Sequence, residues 1–349
     1  LLQATLQNED TPRVRYALGF CVEKTGNRQE AVTHYRQAVA RHVKTAKGAD
    51  FALKAIKRLA VTEPEIVPVI EAAQKLDIEA GRRGSDFLKE TSRMLYARAL
   101  EPGNFLVKPP EWTAGCVFAM SFDEDTLSTK DGHNRVRDLT GQTQGGVIHD
   151  AELADGIAGE GLVLDGQAGH VALGNPDALR LTGDQTITLW IRPDSLGKRQ
   201  NPFAKAYGGE GTMTLEADGK INYYYGTAGR NANPYQSFTM TEPVKVGEWT
   251  HVTLVRDLQN KQVTWYKNGV QTNRKPADHE RAVASTLAAY LGKGYVKNFH
   301  GRIDEVAVFD RALSADEVKA LHQMAGAGKS YCEPLGQAAP YWRRRRDAD

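Results

Sequence analysis

Tyrosine is the residue whose placement first suggests chemistry. Tyr207, Tyr223, Tyr224, Tyr225, Tyr235, Tyr290 and Tyr295 fall in one part of the chain. The face of an aromatic ring is apolar and its hydroxyl is a polar handle, a combination that suits the apolar side of a sugar ring. In Asn222-Tyr-Tyr-Tyr225 the two-residue period of a strand puts Asn222 and Tyr224 on one face. Tyr223 and Tyr225 share the other face with Ile221, so that set is expected inside and Tyr224 outside. The stretch from Gly226 to Gln236 is polar and rich in Asn and Gly, with Arg230, Asn231 and Asn233. Long loops of this kind carry function more often than they merely connect strands. The candidate ligand-binding set is therefore Asn222, Tyr224, Arg230, Asn231, Asn233 and Tyr235.

Covalent and acid–base chemistry find no such support. The sequence contains no Gly-x-Ser-x-Gly, no His-Glu-x-x-His and no phosphate-loop pattern. Asp304 and Glu305 are adjacent, and on a regular strand they would point to opposite faces and could not act as a pair. No residue is assigned a catalytic role. Three cysteines (Cys21, Cys116, Cys332) are too few for a disulfide scaffold or a thiolate zinc site.

The elements that must hold these residues divide in two. A chain of 349 residues suggests about two domains. Its 45 basic and 43 acidic side chains nearly cancel, which argues against bulk nucleic-acid binding. No apolar run approaches the roughly 20 residues of a membrane helix. Only six of 33 glycines precede residue 113, so turns concentrate in the second part. Pro109-Pro110 marks the change, and residues 105–112 read as a stiff linker.

Residues 1–104 read as helices. Leu18, Cys21 and Val22 recur on one stripe behind Pro12, and Ala31, Tyr35, Ala38 and Val39 on the next. Further helical runs cover 51–59, 66–78 and 87–100. Leu18-Gly19, Gly26, Ala31, Tyr35 and Ala38 match the spacing of one tetratricopeptide repeat, in which small residues let two antiparallel helices approach. Such a unit implies a protein partner along its helical surface.

Residues 113–327 read as an all-β domain. Ile187, Leu189 and Ile191 alternate with Thr188, Trp190 and Arg192, as in a half-buried strand. Similar runs cover 116–122, 161–165, 212–216, 220–225, 249–256, 263–267 and 303–309. Turn chemistry such as Lys267-Asn-Gly269 separates them, which favours an antiparallel sandwich. Ser314 and Glu317 stand at capping-box spacing ahead of one closing helix. Residues 328–349 read as a tail whose Arg343–Arg346 run is solvated.

In order along this domain, Phe122-Asp-Glu124, Asp138-Leu-Thr-Gly141, Gly161-Leu-Val-Leu-Asp-Gly166 and Ile187-Thr-Leu-Trp-Ile-Arg-Pro193 are followed by Gly247-Glu-Trp-Thr-His-Val252, Tyr266-Lys-Asn-Gly-Val270, Gly301-Arg-Ile-Asp-Glu-Val306 and Arg311-Ala-Leu-Ser-Ala-Asp-Glu317. These segments resemble the laminin-G-like, concanavalin-A-like jelly-roll superfamily. The resemblance implies a non-catalytic module that recognises a glycan or a protein surface. With a helical partner-binding domain, it also implies an alternative role as a scaffolding subunit of an envelope or surface assembly. It implies export to the cell envelope or the extracellular space. The superfamily includes glucanases, but their Glu-x-Asp-x-x-Glu strand signature is absent. First-to-last strand pairing, as in that superfamily, would bring Asp123, Asp138 and Asp304 together as candidate calcium ligands, since calcium seeks several oxygens; the alternative for Asp138, followed by Thr140-Gly141, is an Asx-type turn without metal. The same pairing implies a disulfide between Cys116 and Cys332, leaving Cys21 as a buried helical thiol. Trp190 and Trp249 are expected between the two sheets, and His251 in a structural role.

Overall fold

The structure is a computed structural model, and it describes residues 10–25, 27–45, 47–59, 75, 78, 82 and 109–348. The chain separates into two compact units at Pro109/Pro110.

Among the described residues of the first unit three helices follow one another over 12–59: α1 (Pro12–Lys24), α2 (Arg28–Thr45) and α3 (Ala49–Leu59). Thr11 caps α1 through its side chain, and Pro12 occupies the first turn, where its missing N–H costs nothing. Ala31, Tyr35, Ala38 and Val39 are buried along α2, as their spacing requires. A Cβ at Gly19 would stand 2.7 Å from the Tyr35 ring, so the glycine is what lets α1 and α2 approach. Gly19→Ala is expected to cost this unit about 1–3 kcal/mol through overpacking, read as a lower midpoint in helical circular dichroism. Cys21 is exposed rather than buried, because the buried stripe of α1 runs through Val14, Leu18 and Gly19. Expected helices over 66–78 and 87–100 lie almost wholly outside the described residues.

The second unit is an antiparallel β-sandwich. Its strands are β1 (Cys116–Met120), β2 (Leu127–Lys130), β3 (His133–Val136), β4 (Gly146–His149), β5 (Glu152–Asp155), β6 (Glu160–Asp165), β7 (His170–Gly174), β8 (Gln185–Pro193) and β9 (Gln200–Ala204). They continue as β10 (Thr212–Leu215), β11 (Ile221–Gly226), β12 (Tyr235–Thr239), β13 (Thr250–Asp257), β14 (Gln262–Lys267), β15 (Val270–Pro276), β16 (Ala289–Leu291), β17 (Lys297–Asn298) and β18 (His300–Phe309). One sheet has the order β15-β14-β13-β8-β18-β6-β5, with β1 also paired to β18. The other runs β12-β11-β10-β9-β16-β7-β4-β3-β2, with β17 alongside β9. First and last strands pair, Ala119 opposite Ala307.

The sheets enclose a core that includes Phe118, Phe122, Leu189, Met213, Tyr223, Tyr225, Phe238, Trp265 and Val306. The tryptophan between the sheets is Trp265, whose indole donates to Phe238 O at 2.7 Å. Trp190 and Trp249 instead belong to a second apolar layer, outside the first sheet. Helices α4 (Ala315–Gly326) and α5 (Cys332–Ala348) follow the last strand, and their Val318, Leu321, Leu335 and neighbours complete that layer. Strand β8 is therefore buried on both faces, Thr188 and Trp190 included, and not half-buried as its alternation suggested. His251 is structural: its ring is fully buried, bonded to Thr188 Oγ1 at 2.7 Å and 5.1 Å from Trp190.

The capping box forms as expected, Ser314 and Glu317 each satisfying the other's backbone. The segment after it packs through residues 331–342 rather than standing as a solvated tail, and the Arg344–Arg346 side chains lie outside the described residues. Leu335, Ala338, Ala339 and Tyr341 of α5 are buried, and Trp342 Nε1 donates to Thr113 Oγ1 at 2.8 Å.

Candidate functional site

The outer face of the second sheet is built by simple alternation. On β11, Ile221, Tyr223 and Tyr225 enter the core. Asn222 and Tyr224 point the other way, opposite Thr214 and Thr212 of β10 and Thr239 and Ser237 of β12. Tyr235 opens β12 on the same face. Two further tyrosines arrive from loops: Tyr207 from 205–211, between β9 and β10, and Tyr295 from 292–296, between β16 and β17.

The four rings form one cluster. Tyr207 lies 4.7 Å from Tyr295, 5.2 Å from Tyr235 and 6.4 Å from Tyr224. Tyr224 lies 5.6 Å from Tyr235 and 6.2 Å from Tyr295. Interplanar angles of 57° to 88° make this a set of edge-on and tilted rings, not a flat platform. Edge-to-face contact is the favoured arrangement for such pairs. Tyr235 is 39% exposed while Tyr224 is 8%, so Tyr224 faces outward as expected but is roofed by its neighbours.

A polar network ties the cluster together. Arg199 Nε and Nη2 donate to the Glu216 carboxylate at 2.9 and 3.3 Å. The same Nη2 donates to the hydroxyls of Tyr224 (2.9 Å) and Tyr295 (2.8 Å). Tyr224 donates to Glu216 Oε1 at 3.1 Å and accepts from Asn222 Nδ2 at 2.8 Å. Burial, then the neighbouring Tyr295 and Glu216, push the Tyr224 phenol above its ordinary value. Burial works against the Arg199 charge, but the Glu216 hydrogen bond and the electrostatic pull of Tyr295, Tyr224 and Glu216 together outweigh it and raise the guanidinium above its ordinary value. Arg199 remains 42% exposed and borders a shallow hollow of about 650 Å³ with Lys198, Tyr295, Val296 and Lys297.

The six sequence candidates divide accordingly. Asn222, Tyr224 and Tyr235 sit in the cluster. Asn231 acts as a loop brace, its Oδ1 accepting from Tyr207 N (3.0 Å) and its carbonyl from the Tyr207 hydroxyl (2.7 Å). The Arg230 carbonyl accepts from Gly208 N at 3.2 Å, while its side chain and Asn233 are exposed. Sequence reasoning missed Arg199 and Glu216 and gave Tyr207 and Tyr295 no position. A charged pair at the open end of a hairpin, Arg199 before β9 and Glu216 after β10, is a weak signal, and loop tyrosines carry no period.

The three aspartates do not assemble. Asp138 accepts from the backbone N–H groups of Ala119, Thr140, Gln142 and Thr143 at 2.9–3.1 Å. Asp304 accepts from Ile157, Ala158 and Glu305 N–H, and Asp123 from Glu160 N–H. Asp123 and Asp304 thus clasp the same 157–160 turn, with Asp138 spent elsewhere. Among the described residues no three His, Cys, Asp or Glu side chains gather as a metal site. Oxygens already committed to amide donors do not fit a calcium ion that needs six to eight of them.

Cys116 and Cys332 are both buried, free thiols, so the expected disulfide is corrected. Each lies against a backbone carbonyl at 3.4 Å, Phe118 O for Cys116 and Val306 O for Cys332, and burial pushes both thiols up.

Asp304 and Glu305 are also corrected. The register shifts between Asp304 and Ala307, and Glu305 has φ 48°. This bulge leaves two residues between inward-facing Ile303 and Val306, so both carboxyls lie on the helix-covered side. Burial, then Glu305, raises Asp304 to about 8, and burial raises Glu305 too. Burial lowers His251 to about 3.

These shifts set a pH profile. A carboxyl raised from 3.8 to about 8 binds its proton in the folded state alone across that window, so its contribution declines as pH rises toward 8. A histidine lowered from 6.5 to about 3 does the reverse, and stability falls as pH drops through that range. The two oppose each other between 3.8 and 6.5. We expect a plateau there and a decline in the melting temperature from 6.5 to 8. Asp304→Asn should flatten the upper decline, and an unchanged slope in calorimetry would reject this account.

Residues 165–319 match the family model described as the concanavalin A-like lectin/glucanases superfamily. No curated protein matches. Among solved structures, domain 4 of AbnA, a GH43 extracellular arabinanase from Geobacillus stearothermophilus in complex with arabinotriose, is 25% identical. It covers 60% of this chain and 99% of its own, with a TM-score of 0.49. The binding domain of Paraclostridial Mosquitocidal Protein 1 is 18% identical over 60% of this chain and 52% of its own, with a TM-score of 0.49. The binding domain of botulinum neurotoxin serotype G is 14% identical over 60% and 50%, with a TM-score of 0.45. The chain thus spans about half the length of these toxin binding domains. A family-model match over 165–319 and two antiparallel sheets facing one core together make this region a sandwich of the concanavalin A-like lectin/glucanase type.

Proposed function

We propose that the sandwich is a non-catalytic recognition module that holds a glycan on the outer face of its second sheet. The observation that carries this is the cluster of Tyr207, Tyr224, Tyr235 and Tyr295 around the Arg199–Glu216 pair. Partly exposed rings offer apolar faces, and the arginine and carboxylate beside them offer donors and acceptors for sugar hydroxyls. A few placed polar groups among aromatic walls is the usual make-up of a small-molecule site. Support for a non-catalytic role comes from Asp304 and Glu305, whose carboxyls are fully buried and engaged by backbone amides. In this reading the helical unit is tetratricopeptide-like and docks a protein partner. The close-packed Gly19–Tyr35 contact supports it. The whole is an exported component working at the cell envelope or outside it. The alternative, a scaffolding subunit of a surface assembly, rests on that helical unit alone.

The test is a glycan array probed with the full chain, in calcium and in EDTA. Binding to a defined sugar that competes with modification of exposed tyrosines supports the module. No binding in either condition rejects it and favours pull-down of protein partners.

A further inference from the structure

The ligand-facing loops meet two buried cations. Lys205 and Glu210 bracket the loop that carries Tyr207, and their side chains are only 2% and 1% exposed. Lys205 Nζ has three oxygen neighbours: Asn175 Oδ1 at 2.5 Å, Leu287 O at 3.0 Å and Glu210 Oε1 at 3.1 Å. An ammonium has three N–H donors, so all three are satisfied. The acceptors come from three separate segments: the end of β7, the 205–211 loop and the approach to β16. Glu210 Oε1 also accepts from Ser285 N at 2.8 Å. Glu210 Oε2 and Ser285 Oγ add two more buried oxygens with no hydrogen-bond partner among the described residues. Arg256, fully buried, repeats the pattern next door. It donates to Gly183 O, Leu181 O and Glu210 O at 2.6–2.9 Å.

One carboxylate, one amide carbonyl and one backbone carbonyl are the oxygen types a hard cation takes, in fewer number than the six to eight of a calcium site. Here they form a cage that closes on a side chain of the chain itself. We propose that Lys205 is a tethered cation that stands where a metal ion would otherwise be needed, and that it positions the Tyr207 loop without calcium. Lys205 is a positioning residue: it touches no ligand and acts through Glu210 and the backbone between them. That its loop serves recognition rests on the reading above; the cage itself does not.

Peptide-resolved hydrogen exchange on the full chain tests this, for wild type and Lys205→Ala, in excess calcium, in EDTA and in methylammonium. Wild-type protection of 205–211 and 285–287 is expected to be equal in calcium and in EDTA. In Lys205→Ala, exchange of those segments should rise about a hundredfold, the scale of breaking a buried ion pair, while β13 stays protected. Methylammonium, which returns an ammonium to the cage, should restore protection. A purely packing role would not respond to it. Loss of wild-type protection in EDTA, unchanged exchange in Lys205→Ala, or no recovery with methylammonium would each overturn the proposal. If Lys205→Ala does not fold, Lys205→Met/Glu210→Gln removes both charges together. That variant should fold with 205–211 still fast, and wild-type protection there would also overturn it. No glycan enters these measurements, so an overturned cage leaves the recognition reading standing, and a blank glycan array leaves the cage standing.

Discussion

Tyr295→Ala combined with Tyr207→Ala will abolish glycan binding while the sandwich stays folded. Tyr295 joins the rings to the arginine. Its hydroxyl accepts from Arg199 and bonds Thr214 Oγ1 at 3.1 Å, its ring lies 4.7 Å from Tyr207, and the Arg199 guanidinium stands 5.5 Å from its centroid. Removing it takes away an apolar face and unmoors the arginine beside it. Aromatic anchors of this kind typically carry about 2 kcal/mol or more each, so each single variant should weaken binding about 30-fold. Tyr224→Phe separates the two contributions. It keeps the ring but removes the hydroxyl that Arg199, Asn222 and Glu216 share, and it should cost less than either alanine. Titration calorimetry against the best ligand of the array reads all of these. A double variant that binds like wild type, with an unchanged melting temperature, would remove the cluster from consideration.

Glu305→Ala should detach helix α5 from the sandwich, and Glu305→Gln should not. The Glu305 carboxylate accepts the backbone N–H of Tyr331 at 2.6 Å and of Cys332 at 2.9 Å, where α5 begins. The Tyr331 hydroxyl donates back to the Glu305 carbonyl. These donors are buried, and each left without an acceptor costs about 1–3 kcal/mol. Alanine therefore loses about 3 kcal/mol or more, and it keeps a side chain at positive φ. Glutamine retains a carbonyl oxygen for the same donors. Because burial already disfavours the charged carboxyl, the neutral amide should be tolerated best at high pH. Denaturant unfolding followed by tryptophan fluorescence would show this, Trp342 reporting on α5 directly. Equal stability of the alanine and wild-type chains would remove Glu305 from the attachment of α5.

How much of this was legible depended on whether a residue obeyed a period. Tyr223 and Tyr225 inside and Tyr224 outside follow from alternation alone, and the strand holds them so. The jelly-roll motifs and the Ser314–Glu317 box were equally local. Asp304 and Glu305 failed because a bulge adds one residue and cancels the alternation that had separated them. Trp190 failed because its face of β8 is sealed by helices far along the chain, which a strand pattern cannot foresee. Helix α5 was invisible for a different reason. Pro334, Gly336 and Pro340 lower its intrinsic propensity, and only packing of Leu335, Ala338, Ala339 and Tyr341 sustains it. The tyrosine cluster was half legible: strand residues announced themselves, while Tyr207, Tyr295 and Arg199 depend on where loops fold back.

The pairing of β1 with β18 also bears on how the protein is made. Cys116 lies opposite Phe309, so the first strand of the sandwich waits for a partner nearly the whole domain away. Contacts of such long sequence separation fold slowly, because loop closure is opposed by entropy until the distant segment arrives. During synthesis the local helices α1 to α3 can settle early, while β8 and β13 emerge with apolar faces and an absent neighbour, since β8 also pairs with β18. Completion waits until residues 300–309 have left the ribosome. Nascent chains stalled before that point should engage chaperones and resist no protease beyond the helical unit. Chains stalled well after it should yield a resistant sandwich in one step.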